Sequence, residues 1–428
     1  MGQSTTKSDV RLNQVGFWLR QYRQVNKGGL RVLLRKCLLF LRLAPAILIV
    51  LILRALRPLV LVRFGRLPGG AIGLDAGSTE LYLCERDAGL HPERTLDVFY
   101  CTDRIPSHQL KKMWQRTLNV LPLVGLLSSA NSMLPGGAPH TIRFPTDMDF
   151  NGVIPQSRAH LLFKAGEERL GQSGLRALGV PQDAPFVCIY ARDTGYKGRD
   201  TGHRWSSELN LDESLNHGYR NASIQNFVPA AEELARRGYF VIRMGAVVNE
   251  TLETANPMII DYASTARSDF MDIYLCAHCS FFLGGNGGLN AVPRIFRRPV
   301  LSDNFVPLAL DNLLTLYPGS LLIPKKLWHR EMHRFMTFKE FLEIPRGNWG
   351  WARHYERIGV DVVENTPEEI YAVAMEMDDR LQGTWRAAEE DEELQQRFWS
   401  LLKIREPTEE FRPRMGAEFL RNNRELLN

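Results

Sequence analysis

Phe281-Phe282-Leu283-Gly284-Gly285-Asn286-Gly287-Gly288-Leu289-Asn290, followed by Ala291-Val292-Pro293 and Arg297-Arg298-Pro299-Val300-Leu301, reads as a buried strand, a glycine-rich turn, a short helix and a second strand. Four glycines around one asparagine let the backbone come close to a ligand, because no Cβ stands in the way. The helix that follows offers N–H groups and a positive dipole end to an anion. That arrangement suits the diphosphate of a nucleotide. It is not a G-x-G-x-x-G followed about 20 positions later by an acidic residue, which disfavours a dinucleotide. A tight strand-to-helix turn with no ligand is the competing reading.

Upstream of this loop the pattern alternates. Pro185–Tyr190 is a strand that enters Ala191-Arg192-Asp193. Tyr239–Met244 is another, closed by Gly245, and Met258–Tyr262 is a third. Helical spacing runs from Phe163 to Leu178, ending at Gly179, and from Ile224 to Arg237, ending at Gly238. Ser268 caps a helix reaching Ala277, with Asp269 in its first turn. Strands and helices alternating at short intervals predict an α/β fold with a parallel sheet covered on both faces. Ligands in such sheets bind beyond the carboxyl ends of the strands. Arg192, Asp193, Arg243, Asp261, Tyr262 and Asn286 are therefore expected along one cleft edge.

A first α/β unit is expected before it, with strands at Ala71–Leu74, Leu81–Cys84 and Leu96–Cys101 and a helix over His108–Val120. Ile344-Pro345-Arg346-Gly347 breaks the chain before a charged, helix-rich end, with helices at Glu368–Leu381 and Glu389–Ile404. The expected division is an arm over 1–65, domains over 66–163 and 164–345, and a helical region over 346–428.

The formal net charge is +5, and all of the positive excess lies in residues 1–74, which hold 13 Lys or Arg and one acid, Asp9. Leu43 to Leu53 is uncharged, and Pro45 and Pro58 fence a helix of about a dozen residues, roughly 18 Å. A bilayer core needs about 30 Å. Residues 30–64 therefore fit an amphipathic segment lying on an anionic membrane surface, with Arg31, Arg35 and Arg42 on lipid phosphates; a single span over Cys37–Leu53 and a soluble core hairpin are the alternatives. The density of Leu and Ile argues for lipid over nucleic acid. Six cysteines in a chain of 428 residues read as reduced thiols. Cys276-Ala277-His278-Cys279 lacks a second pair at zinc-finger spacing and reads as a helix end.

Cys188–Asp193, Tyr219–Ile224, Gly238–Gly245 and Ser268–Ile273 form an ordered series. Together with Glu80–Leu83, Glu376-Met377, Gly383–Trp385 and Gly416–Arg421, it resembles a family of bacterial glycosyltransferases encoded among surface-polysaccharide and lipopolysaccharide genes. The resemblance covers most of the chain after residue 65. It implies the two-Rossmann (GT-B type) arrangement, with a nucleotide-sugar donor in the second domain and a lipid-linked or surface glycan acceptor facing the first. The Gly-Gly-Asn-Gly-Gly loop departs from the serine-containing loop of that family, so backbone N–H groups would have to serve the phosphates.

The resemblance also implies a reaction that needs no metal and no cofactor beyond the donor; inversion is the expected outcome, although folds of this type host both. Asp147-Met148-Asp149 is the one D-x-D match, and it reads as a loop. Arg192 and Arg243 are expected on the leaving diphosphate. Asp193 is the expected general base, with turn formation as its competing use. Donor contacts are expected from Gly245, Asp261, Tyr262, Ser268, Asp269, Gly285, Asn286, Gly287, Gly288 and Asn290. Tyr219, Arg220, Asn221 and His203 are expected near the acceptor or in a closing loop, as is His217. The expected location is the cytoplasmic face of an inner membrane. A nucleotide-sugar epimerase and a non-catalytic nucleotide-binding scaffold are the alternatives; the membrane arm argues against the epimerase, whose substrate is soluble.

Overall fold

The computed structural model describes residues 43–101, 105–193, 218–285, 287–316, 318–344, 352–402 and 413–428. Arg31, Arg35, Arg42, His203, His217 and Asn286 lie outside the described residues. The helices used below are α1 (43–55), α2 (Ile72–Asp87), α3 (His108–Thr117), α4 (Val124–Met133), α5 (Ala165–Ala177), α6 (Val228–Arg236), α7 (Asp269–His278), α8 (Ala291–Ile295), α9 (Pro367–Leu381) and α10 (Asp391–Leu401). The strands are β1 (Leu61–Arg66), β2 (Thr95–Tyr100), β3 (Thr141–Ile142), β4 (Phe186–Tyr190), β5 (Phe240–Arg243), β6 (Ile259–Ile260), β7 (Phe282–Gly284), β8 (Val300–Phe305), β9 (Leu321–Pro324), β10 (Lys326–His329), β11 (Arg334–Phe335), β12 (Val360–Val363) and β13 (Arg414–Met415).

The chain forms two compact units. In its described residues the smaller holds 43–66, Glu93–Tyr100 and Val120–Arg143. The larger holds Leu67–Pro92, Cys101–Asn119 and everything from Phe144 onward. Thus α2 and α3, although between strands of the smaller unit in sequence, belong to the larger one.

In the smaller unit β1 is central, with β2 and β3 parallel on either side. One face carries Val62 and Phe64, which pack with Ala46 and Val50 of α1 and Val124 and Ala130 of α4. On the other face Arg63 and Asp97 are register partners, joined by two hydrogen bonds of 2.7 Å. That bidentate pair fixes the strand register as well as the charge.

The larger unit is built on a seven-stranded parallel sheet of order β13-β9-β8-β7-β4-β5-β6. From β4 the chain runs outward to β5 and β6, then crosses to β7 and runs outward the other way. Three residues of β5 and all of β7 and β8 are buried, as expected where helices cover both faces. Gly179 (φ 86°) and Gly238 (φ 96°) end the preceding helical turns in the left-handed region that glycine takes without penalty. A small antiparallel sheet, β11-β10-β12, follows.

One expectation fails here. Ala71–Leu74 and Leu81–Cys84 are not strands: Ala71 is the N-cap of α2, and Ile72–Leu74 and Leu81–Cys84 lie within it. Gly73 and Asp75 through Cys84 are all buried, so the helix is covered on every side. A short apolar run cannot by itself distinguish such a helix from a strand. The part of the membrane-associating arm that is described, α1, is helical but not amphipathic: apolar side chains occupy its exposed face as well as its buried one.

Candidate active site

Strand order reverses between β4 and β7, and a sheet of this order opens a crevice at that point. The glycine loop leaves β7 there. Gly284 is required for close strand approach: a Cβ on it would lie 2.7 Å from the Tyr190 carbonyl oxygen. A Cβ on Gly287 would lie 2.8 Å from Cε1 of the Tyr190 ring. Gly288 meets α2 instead, since a Cβ on Gly73 would lie 2.9 Å from the Gly288 Cα. Gly285 has room, its nearest neighbour being the Asp303 carbonyl oxygen at 3.7 Å. The Asn290 amide donates to the Gly284 carbonyl oxygen at 3.0 Å and closes the loop on itself. A 3-10 turn, Gly288–Asn290, and α8 follow, and α8 has only five residues. So short a helix adds little macrodipole, and an anion here would be held by individual N–H groups at the helix start.

The carboxyl ends of β5 and β6 hold an ion network in which two buried atoms, Arg243 Nη2 and Asp261 Oδ1, make no hydrogen bond. Arg243, 1% exposed, puts Nη1 3.0 Å from Asp261 Oδ2 and Nη2 4.0 Å from Asp193 Oδ2. Asp261 Oδ2 also accepts from Leu252 N–H and the Ser264 hydroxyl. Asp193 Oδ2 accepts from the N–H groups of Asn249 and Glu250 at 2.5 and 3.1 Å. These bonds tie Asp193 to the 249–250 turn. Arg243 and Asp261 likewise serve the network that closes the sheet edge.

Tyr262, Ser268 and Asp269 are also structural. The Tyr262 hydroxyl lies 2.9 Å from Asp272 Oδ1 and accepts from Ser268 N–H at 2.9 Å. Burial pushes Asp272 up to about 6, against the charge of Arg267 and the hydrogen bonds from Tyr262 and Arg267. Ser268 Oγ accepts from Met271 N–H as the N-cap of α7. Asp269 Oδ2 accepts from Gln109 N–H at 2.8 Å, which ties the start of α3 to the start of α7. Gly245 turns the chain after β5, where a Cβ would meet Val248 at 2.7 Å.

Arg192 is half-buried just past β4, and its carbonyl oxygen accepts from Ala222 N–H. Tyr219 and Arg220 are half-buried and form a 3-10 turn; the Tyr219 ring lies 5.2 Å from that of Tyr355. The Asn221 carbonyl oxygen accepts from Lys325 Nζ at 2.5 Å.

Three residues at this edge escape a sequence reading. Lys325, just past β9, is buried, and burial lowers it to about 8. Asp303 in β8 is fully buried and pushed up to about 7, chiefly by burial, with Oδ1 lacking a hydrogen-bond partner. The third is Asp75, in the first turn of α2, two residues from the Gly73–Gly288 contact. Burial raises its carboxyl to about 7. It lines a small cavity of about 20 Å³ with Cys101, Lys111 and Trp114, whose Nε1 is buried without a partner. The signal for Asp75 was its place as the first acid after Asp9, at the end of a long acid-free stretch.

Asp147-Met148-Asp149 holds a loop: Asp149 accepts from Val153 and Ile154 N–H, and Asp147 lies 3.6 Å from Arg294. Glu80, Cys84 and His160 bring ligand-type atoms within 4.8 Å of one another. The Arg297 guanidinium already stands there, 2.7 Å from Glu80 Oε1 and 3.4 Å from Cys84 Sγ, and supplies the cation. Cys276 and Cys279 are buried at the end of α7, and burial pushes the Cys276 thiol well up.

No family model matches the chain, and no curated protein matches it. Among solved structures, a glycosyl transferase family 9 protein from Veillonella parvula DSM 2008 is similar over 57% of this chain and 80% of its own, at 11% identity and a TM-score of 0.33. ADP-heptose LPS heptosyltransferase II of E. coli is similar over 56% and 84%, at 13% identity and a TM-score of 0.32. The iron-containing dodecameric glycosyltransferase TibC of enterotoxigenic E. coli H10407 is similar over 76% and 78%, at 14% identity and a TM-score of 0.34. Likeness at TM-scores this low decides neither fold nor chemistry.

Proposed function

We propose that this chain is a membrane-associated glycosyltransferase at the cytoplasmic face of an inner membrane. It moves a sugar from a nucleotide-sugar donor to a lipid-linked or cell-surface glycan acceptor, with inversion and without a metal. The observation that carries the reading is the glycine loop at the strand-order reversal, packed against the helix start that bears Asp75. The motif resemblance points the same way.

In this reading the donor diphosphate lies on the backbone N–H groups of Gly287 and Gly288, with Arg192 and Lys325 supplying positive charge at the same edge. Asp75 takes the proton of the acceptor hydroxyl, whose oxygen bonds to the anomeric carbon. The bond from that carbon to the diphosphate breaks, and the nucleoside diphosphate leaves with the electron pair. A carboxyl that titrates near 7 is matched to such a task.

A melting-temperature screen of the purified protein against UDP, GDP, CDP, ADP and TDP and their common sugars tests this, with and without EDTA. A saturable shift from one nucleotide, unchanged by EDTA, supports a metal-free donor site. No shift from any nucleotide in a folded sample overturns it. The non-catalytic scaffold is the second reading, favoured by the internal engagement of Asp193, Arg243 and Asp261. It requires the Asp75→Asn protein to keep its cellular role.

A further inference from the structure

Among the described residues the smaller unit leaves one apolar face uncovered. Helix α1 buries Ala46 and Val50 against β1 and α4, and Leu43 is buried as well. On its other side Leu48, Ile49, Leu51 and Ile52, with Leu56 and Leu59 just beyond, are between 40% and 73% exposed. No polar side chain interrupts the stretch from Leu43 to Leu53. Arg54 does not break the face, because its guanidinium turns inward, with Nε 3.1 Å from Asn131 Oδ1 and Nη1 2.6 Å from the Pro135 carbonyl oxygen. Arg57 is exposed beside the face, and no Asp or Glu occurs from Val10 to Leu74. A helix that is apolar all round needs cover on both sides. The protein core supplies one side only.

We propose that this face is a membrane-interface surface. Leu48, Ile49, Leu51, Ile52, Leu56 and Leu59 sink into the acyl boundary of an anionic leaflet. Arg57 meets the phosphates. The helix lies in the plane of the membrane. Among the described residues no helix is long and apolar enough to cross. The helical run 43–55 extends about 20 Å, short of the roughly 30 Å of a bilayer core. The uniformly basic sequence around the face selects an anionic surface over a neutral apolar partner. This inference deepens the membrane-associated part of the proposed function and rests on it.

The test is co-sedimentation of the full chain with vesicles of phosphatidylcholine alone and of phosphatidylcholine with phosphatidylglycerol, at low and high salt. The variant is the triple substitution Leu48→Ser, Ile52→Ser, Leu59→Ser; all three side chains are exposed, so the melting temperature should stay near wild type. The expected result is binding to the anionic vesicles that weakens in salt and falls about tenfold for each side chain removed. Triple-variant binding equal to wild type overturns the proposal. So does a dimer that the triple variant dissociates while vesicle binding is unchanged, since the occupant is then a second copy. A nucleotide melting shift read on the same samples reports the transferase reading separately: vesicle binding without any shift removes that reading and leaves this one standing.

Discussion

Gly73 in the first turn of α2 and Gly288 of the glycine loop touch backbone to backbone, with no space for a Cβ between them. The relationship couples the loop expected to hold the donor to the helix that carries Asp75. Gly73→Ala must push Gly288 away, since the obstructing atoms are main chain. Overpacking of this kind costs about 1–3 kcal/mol. Weaker nucleotide binding, by about tenfold, is expected in a protein that still folds. Calorimetric titration with the best nucleotide checks it, and unchanged affinity would count against the loop as the donor site.

Asp75→Asn separates catalysis from stability. Turnover is expected to fall about 100-fold or more while nucleotide binding persists. The wild-type rate should rise with pH through about 7 as the carboxyl ionises. Stability moves the other way. The folded carboxyl titrates above its ordinary value, so its contribution is complete at low pH and is lost as pH rises through about 7. Asp75→Asn removes that loss and should be more stable than wild type at pH 8.5 but not at pH 4. Urea unfolding at both pH values measures the difference.

Arg243→Ala leaves Asp261 and Asp193 facing a buried gap. Removing one partner of a buried ion pair costs about 3–5 kcal/mol. The variant is expected to unfold at much lower denaturant, whether or not a nucleotide is present. Asp193→Asn keeps shape and acceptor capacity at one oxygen and should retain turnover within a few-fold. A complete loss of turnover in a stable Asp193→Asn protein would restore Asp193 as the base.

Glu80, His160 and Arg297 form a second buried network. Burial works against the charge of His160, but hydrogen bonds to Cys84, Glu80 and Asp87, together with the Glu80 charge, raise it to about 10. Its contribution is full below the ordinary histidine value, about 6.5, and is lost as pH rises through about 10. The melting temperature should therefore fall between pH 8 and 10.5, and less so in His160→Gln. Equal slopes for the two proteins would remove His160 from the account. Glu80→Ala, which strands the buried His160 side chain and the half-buried Arg297, should cost about 3 kcal/mol.

The sequence determined the class of fold and most elements of the larger unit. Phe186–Tyr190, Phe240–Arg243 and Phe282–Gly284 are apolar runs bounded by turn residues, and such runs specify buried parallel strands locally. Ser268 announced its helix through a cap that needs only neighbouring residues. The glycine loop was legible for the same reason, because strand, turn and helix are contiguous. Leu81–Cys84 was not, since its burial comes from a helix enclosed on every side by distant chain.

The roles of the polar residues were decided only by tertiary structure. Asp193, Asp261, Tyr262 and Asp269 stand where polar residues of a ligand cleft would stand in sequence, and each bonds to partners within the protein, while Asp261 Oδ1 is left buried without one. Whether a carboxylate is available depends on which N–H groups and guanidinium groups converge on it, and those come from segments up to 160 residues away. Asp75 acquires its titration near 7 from burial by α3 and the loop before it, a property of packing that no local pattern carries.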